Sequence, residues 1–166
     1  LQGKTELLAK MSQNEDRLVD IISFVFMPNH FHFLLKQVAD NGVARYLSLF
    51  TNSYTRYFNT RLQRPGPLFQ GVFKAVRVES NAQLLHLSRY IHLNPYVSGI
   101  VKLKDLPSYP WSSLRNYLFG ANDFINPKIV LSQFKNSTAY RDFVLNHADY
   151  ARELEIIKHM TIDLEP

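Results

Sequence analysis

Apolar positions along the chain change period several times, and each change marks a boundary between elements. Thr5 to Arg17 is polar, with Leu7, Leu8 and Met11 at the spacing of one helical stripe, which predicts an opening helix. Leu18 to Phe26 is a mostly apolar block rich in Ile, Val and Phe, and Phe31 to Val38 resumes it beyond Pro28-Asn29. β-branched and aromatic runs of this kind predict extended structure, here one long or bulged strand that Asp40-Asn41-Gly42 ends. From Val43 the period becomes helical: Val43, Tyr46, Leu47, Phe50, Tyr54, Tyr57 and Phe58 fall three and four apart, with Arg45, Asn52 and Arg56 on the other side. Arg61 to Pro67 is a basic turn. After it, Leu68 to Gln70 and Val72 to Val78 predict a strand, with Gly71 as a bulge or bend. A second helix follows, with Ser80 or Asn81 as its cap and Pro95 and Gly99 marking its end. The tail carries a turn over Ser108 to Ser113, a short helix to about Phe119, and helical patterns near Leu131 and from Tyr140 to His159.

Composition narrows the class. With 166 residues, 46% of them hydrophobic and 20% charged, the chain is long enough for one buried core with an extension. It has no cysteine, which excludes thiolate chemistry and cysteine-ligated zinc and leaves imidazole, carboxylate and amide as metal ligands. No apolar run is long enough to cross a bilayer and no signal pattern opens the chain, so the expectation is a soluble, cytoplasmic protein without a membrane partner. The net charge is +5, and from Lys36 to Lys104 ten cations face only Asp40 and Glu79. Such a stretch suits a polyanion, although ordinary solubilising charge has the same signature.

Two segments carry candidate chemistry. In Met27-Pro28-Asn29-His30-Phe31-His32-Phe33, side chains two apart on a strand share a face, so His30 and His32 can hold one cation while Phe31 and Phe33 pack behind. Two imidazoles leave coordination positions open to phosphate oxygens and water, as a catalytic site requires. The competing reading is a pair of core-edge histidines bonded to backbone. In Arg89-Tyr90-Ile91-His92-Leu93-Asn94-Pro95, a helix advancing about 100° per residue aligns His86, Tyr90 and Asn94 beside a core stripe of Leu84, Leu87 and Ile91. A phenol is a poor nucleophile at neutral pH unless a nearby cation assists it. Asn94 offers a carbonyl oxygen to the same ion, a donor suited to Mg²⁺ or Mn²⁺. Tyr90 taken alone is as well explained as an amphipathic residue at the core boundary. His92 projects about 200° from Tyr90 and is expected at the surface or on DNA. Asn29 is expected to order the His-bearing strand through a backbone bond.

Together, Pro28 to His32 and Arg89 to Pro95 resemble the HUH single-strand DNA transposases, specifically the REP-associated tyrosine transposases and their insertion-sequence relatives. Gly66-Pro67-Leu68-Phe69-Gln70-Gly71-Val72-Phe73-Lys74 and Tyr109-Pro110-Trp111-Ser112-Ser113 extend the similarity over roughly Ile21 to Leu118. The resemblance implies an α+β, ferredoxin-like (RRM-like) antiparallel sheet with helices on one face. Residues 1–105 would form the catalytic domain and 106–166 a C-terminal helical extension, while the family's first strand would precede the start of this sequence. It implies His30, His32 and Asn94 as ligands of a divalent metal, Mg²⁺ or Mn²⁺, and Tyr90 as the nucleophile. The implied activity is cleavage and rejoining of hairpin-flanked single-stranded DNA through a 5′-phosphotyrosine, by a monomer or homodimer. Arg45, Arg56, Arg61, Arg64, Lys74, Arg77 and Arg89 are the candidate phosphate contacts, with Tyr54, Tyr57, Phe69 or Phe73 placed to stack unpaired bases. A non-catalytic nucleic-acid-binding module on the same fold, and a histidine-based metal hydrolase using activated water, are the competing functions.

Overall fold

A computed structural model describes residues 17–120 and 124–153. The expected opening helix lies outside the described residues except for Arg17, as does the end of the last helical pattern. Among the described residues one compact unit combines 17–20 with 35–78, and a second combines 21–34 with the residues from 79 onward.

The single strand expected between Leu18 and Val38 is instead an antiparallel pair, β1 (Val19–Phe26) and β2 (Phe31–Gln37). The Met27 N–H donates to the His30 carbonyl at 2.8 Å, closing a four-residue turn with Pro28 and Asn29 at its centre. Proline presets the first central angle of such a turn and asparagine tolerates the second, so this dipeptide reverses the chain rather than bulging it. On its other side β1 bridges Ser112 through Val25 and Ile125 through Ile21. Flanked on both edges, β1 is almost wholly buried.

In the first unit, helix α1 (Gly42–Leu62) follows the expected periodicity. It begins where Val38 and Ala39 donate to the Leu18 carbonyl. A Cβ on Gly42 would lie 2.1 Å from that carbonyl oxygen, so only glycine admits the approach. Leu47 is buried, and Tyr46, Phe50, Tyr54 and Phe58 stack in succession at 6.2–6.4 Å between ring centroids. The strand expected over Leu68 to Val78 does not form: these residues are irregular, and Val72 and Val76 are 85% and 80% exposed. Alternation supplies β-propensity, but a strand also needs a neighbour to satisfy its N–H and C=O groups, and none of the described strands pairs with this segment.

The second unit is built on α2 (Asn81–Val97), capped by Ser80, whose hydroxyl accepts the Gln83 N–H. The helix does not stop before Pro95 but runs through it to Val97. Proline removes one N–H, that owed to the Ile91 carbonyl, and complete burial of Ile91 to Tyr96 offsets this loss near the helix end. A 3₁₀ segment (Leu103–Ser108) leads to α3 (Leu114–Phe119), α4 (Lys128–Leu131) and α5 (Ser137–Leu145). Leu84, Ile91, Leu93, Leu106, Leu114, Val130 and Val144 form the apolar core between them. The chain is therefore α+β, with a two-stranded antiparallel sheet among the described residues.

His92, expected at the surface, is fully buried. Its direction, about 200° from Tyr90 around α2, points at α3 and α5 rather than at solvent. Its Nδ1 lies 2.7 Å from Tyr140 Oη and its Nε2 2.8 Å from Ser113 Oγ. Desolvation drives its pKa down to about 3. The sign of the consequence follows from the unfolded value near 6.5. Above pH 6.5 both states carry a neutral ring; below it the unfolded chain takes up a proton that the folded chain refuses. Burial of His32 lowers its pKa too and adds in the same direction. Urea unfolding is expected to give a stability about 2–3 kcal/mol lower at pH 4.5 than at pH 7.5. Equal stabilities at the two pH values would mean that His92 is accessible to protons in the folded chain.

Candidate active site

The hairpin and α2 bring three sequence-predicted side chains together within the second unit. His30 stands at the entrance to β2 and His32 is its second residue, so the i, i+2 relation puts both imidazoles on one side, 5.0 Å apart between centroids. Tyr90, on α2, meets His32 at 5.4 Å, edge to face. Behind the pair, Phe24, Phe26, Phe31 and Phe33 form the aromatic cluster expected on the strand's other side, Phe26 and Phe33 being 5.7 Å apart. This packing and the tight turn at Met27–His30 fix the backbone from which both histidines project.

The surroundings constrain each imidazole in a different way. Asn29 Oδ1 lies 2.6 Å from His30 Nδ1 and accepts its proton. The asparagine thus orders the ring itself, not the backbone as expected, through Nδ1 and not Nε2. Burial, with a smaller contribution from His30, lowers the His32 pKa and keeps that ring neutral at physiological pH. Among the described residues no cluster of three His, Cys, Asp or Glu accompanies the pair. Among the described residues a further ligand would therefore be an amide or a hydroxyl, and Asn94, buried one turn beyond Tyr90 on α2, is the residue in that register. Its Oδ1 accepts a weak bond of 3.4 Å from the Ser98 hydroxyl. If the pair holds a cation, Asn29→Ala is expected to weaken Mn²⁺ binding by about 10–100-fold, the usual cost of removing a group that orients a ligating histidine. Calorimetric titration measures this directly, and unchanged affinity would show that the asparagine does not order the ring.

Tyr90 is 47% exposed, and its ring meets that of His32. Arg89, expected on the phosphate track, lies over the Phe143 ring at 4.5 Å and within 3.4 Å of His86. In the first unit, Arg56, Tyr57 and Arg61 line an open groove of about 750 Å³ along α1 with Asn52. Arg61 donates to Tyr57 Oη at 2.7 Å, and Arg64 donates to the Pro67 carbonyl at 3.2 Å, so the basic loop is ordered. Arg45 and Lys74 are exposed, and Arg77 lies in the irregular stretch after Gly71. Sequence reasoning missed Ser88, Ser113 and Tyr140, which surround His92. The one local signal was the placing of His92 between Ile91 and Leu93, two apolar neighbours on the helix.

No helix among the described residues is long and apolar enough to cross a membrane. Residues 4–94 match the family described as "Transposase IS200 like". That span holds the turn with Asn29, both histidines, α1, and α2 through Asn94. No curated protein and no solved structure matches the chain. Because the matched span exceeds half of the sequence and contains every residue of the His–His–Tyr cluster, the chain belongs to the IS200-like transposase family.

Proposed function

We infer that the protein is a metal-dependent single-stranded DNA transesterase, cutting and rejoining hairpin-flanked DNA through a tyrosine–5′-phosphate bond. The observation that carries this reading is the meeting of His32 and Tyr90 at 5.4 Å, with His30 beside them. Family membership makes DNA the partner and transposition the activity class. On this reading the hairpin and helices belong to a ferredoxin-like HUH domain.

His30 Nε2, the neutral His32 and the Asn94 carboxamide would hold a divalent cation, Mg²⁺ or Mn²⁺. When bound, such an ion supplies positive charge for the phosphate oxygens as negative charge builds on them. The remaining work belongs to the chain. Tyr90 Oη attacks the phosphorus as its proton passes to solvent. An Oη–P bond forms, the P–O3′ bond breaks, and the departing 3′ oxygen takes up a proton. The DNA 5′ phosphate stays on the enzyme, and one phosphodiester has been exchanged for another, so the 3′ hydroxyl can attack the phosphotyrosine and rejoin the ends without a nucleotide cofactor. The exposed edge of α1 and the basic loop after it, with Arg45, Arg56, Arg61 and Arg64, supply phosphate contacts, and Lys74 and Arg77 extend them.

The test is a hairpin oligonucleotide labelled at either end, incubated with Mn²⁺ and resolved on a denaturing gel. The expected product is a slow protein-linked band carrying only the 3′-end label. Salt-sensitive binding without cleavage would replace the proposal by a non-catalytic binding module. Cleavage without an adduct would replace it by water-mediated hydrolysis.

A further inference from the structure

Tyr90 sits on the partly exposed rim of α2, so its distance from His32 depends on how the helix is rotated about its own axis. Apolar burial sets that rotation only coarsely, through Leu84 and Ile91 on the core stripe. From Ile91 to Tyr96 every residue is buried, which covers all directions around the helix, and turning this segment would exchange one buried side chain for another. Hydrogen bonds are directional and do select a rotation. Tyr96 near the end of the helix donates to Asp149 at 2.9 Å, and one turn back the buried bonds nearest Tyr90 centre on His92.

The protons of this network can be assigned in sequence. Ser88 donates its hydroxyl to the Leu85 carbonyl at 2.8 Å, and Tyr140 Oη donates to Ser88 Oγ at 3.2 Å. Tyr140 Oη is then the acceptor for His92 Nδ1–H at 2.7 Å. This leaves Nε2 as an acceptor, filled by the Ser113 hydroxyl at 2.8 Å in preference to the longer 3.2 Å contact with the Phe24 carbonyl. Ser113 Oγ in turn accepts the Phe24 N–H at 2.9 Å. Phe24 is in β1, whose paired strand β2 carries His32. Four of these hydrogen bonds thus join α2 to α5 on one side and, through Ser113, to the hairpin on the other.

We propose that His92 is a positioning residue, which sets the rotation of α2 and thereby holds the Tyr90 hydroxyl at its working distance from the His30–His32 pair. The function given to Tyr90 rests on the reading above; the role given to His92 adds to it. A rotation of about 10° moves a group about 6 Å from a helix axis by roughly 1 Å. A misplacement of that size costs on the order of 10²-fold in rate. The C-terminal segment is on this view part of the catalytic machinery, because Ser113 and Tyr140 complete the link.

The experiment compares Tyr140→Phe, His92→Gln and His92→Leu in the full chain with Mn²⁺ and a hairpin oligonucleotide. Tyr140→Phe touches no reacting atom and preserves the ring packing. It is expected to lower the single-turnover rate constant for adduct formation by about 10–100-fold, with the final adduct yield and the DNA Kd within about twofold of wild type. His92→Gln, which keeps one donor and one acceptor, is expected to retain more of the rate than His92→Leu. A role in stability alone would lower the yield by unfolding part of the sample and leave the rate constant of the folded part unchanged; that result overturns the proposal. If the wild-type chain forms no adduct, the transesterase reading fails and positioning is read separately, from the ¹⁹F resonance of 3-fluorotyrosine at position 90. A shifted or divided resonance in Tyr140→Phe supports the role of the network, and an unchanged one overturns it.

Discussion

Tyr90→Phe is expected to eliminate covalent attachment to DNA, lowering the cleavage rate by roughly 10⁴–10⁶-fold, as loss of a catalytic nucleophile does in other enzymes. The substitution removes one oxygen and retains the ring that lies 5.4 Å from His32, so the packing beneath it persists. The residue is half exposed, and the missing hydroxyl creates no cavity and strands no buried partner. Thermal stability and hairpin affinity should therefore stay near wild type. A quantitative gel assay of adduct formation, run beside a binding titration, separates the two effects. An adduct formed by the phenylalanine variant at even a tenth of the wild-type rate would place the nucleophile elsewhere.

The second large effect concerns the histidine pair. His32→Ala removes one of two adjacent imidazoles, and metal-dependent cleavage at fixed Mn²⁺ is expected to fall by at least about 100-fold, more than the loss of an orienting partner such as Asn29 costs. DNA affinity measured without metal should change little, because the phosphate contacts proposed on α1 belong to other residues. The wild-type protein should also show a defined pH response. Ligation requires the neutral ring, and burial holds the His32 pKa below its ordinary 6.5. The Mn²⁺ midpoint contributed by His32 should accordingly be flat from pH 8 to about 6.5 and weaken only as pH falls further. An Mn²⁺ dependence in His32→Ala indistinguishable from wild type would remove this histidine from the metal site.

The candidate site was more legible in the sequence than the fold around it. His30, His32 and Tyr90 could be found because strand and helix periodicities are local: i, i+2 and i, i+4 relations hold wherever the elements pack. The two long helices were legible for the same reason, α1 from the spacing of its aromatic residues and α2 from the cap at Ser80. What failed depended on partners distant in sequence. Val72 to Val78 has the alternation of a strand, but alternation carries no information about which edge is available to pair with it. Pro28-Asn29 was compatible with a bulge or a reversal, and only the Met27–His30 bond decides between them. The azimuth of His92 followed from helical geometry, whereas its burial depended on α3 and α5, which lie beyond the span matching the family. The bond from Asn29 to the His30 ring is a further case, since spacing alone does not distinguish a side-chain acceptor from a backbone one.

These observations describe a division of labour within the second unit. The hairpin supplies two oriented imidazoles, α2 supplies the phenol, and the segment after residue 105 supplies the groups that fix α2. The most direct measurement is mass spectrometry of the protein–DNA adduct after nuclease and protease digestion. The expected spectrum shows a nucleotide 5′ phosphate on the peptide containing Tyr90, formed only with divalent metal and absent from the His32→Ala protein. A nucleotide attached to any other residue, or an adduct at Tyr90 that forms equally well in chelator, would be incompatible with a tyrosine nucleophile served by the His30–His32 pair.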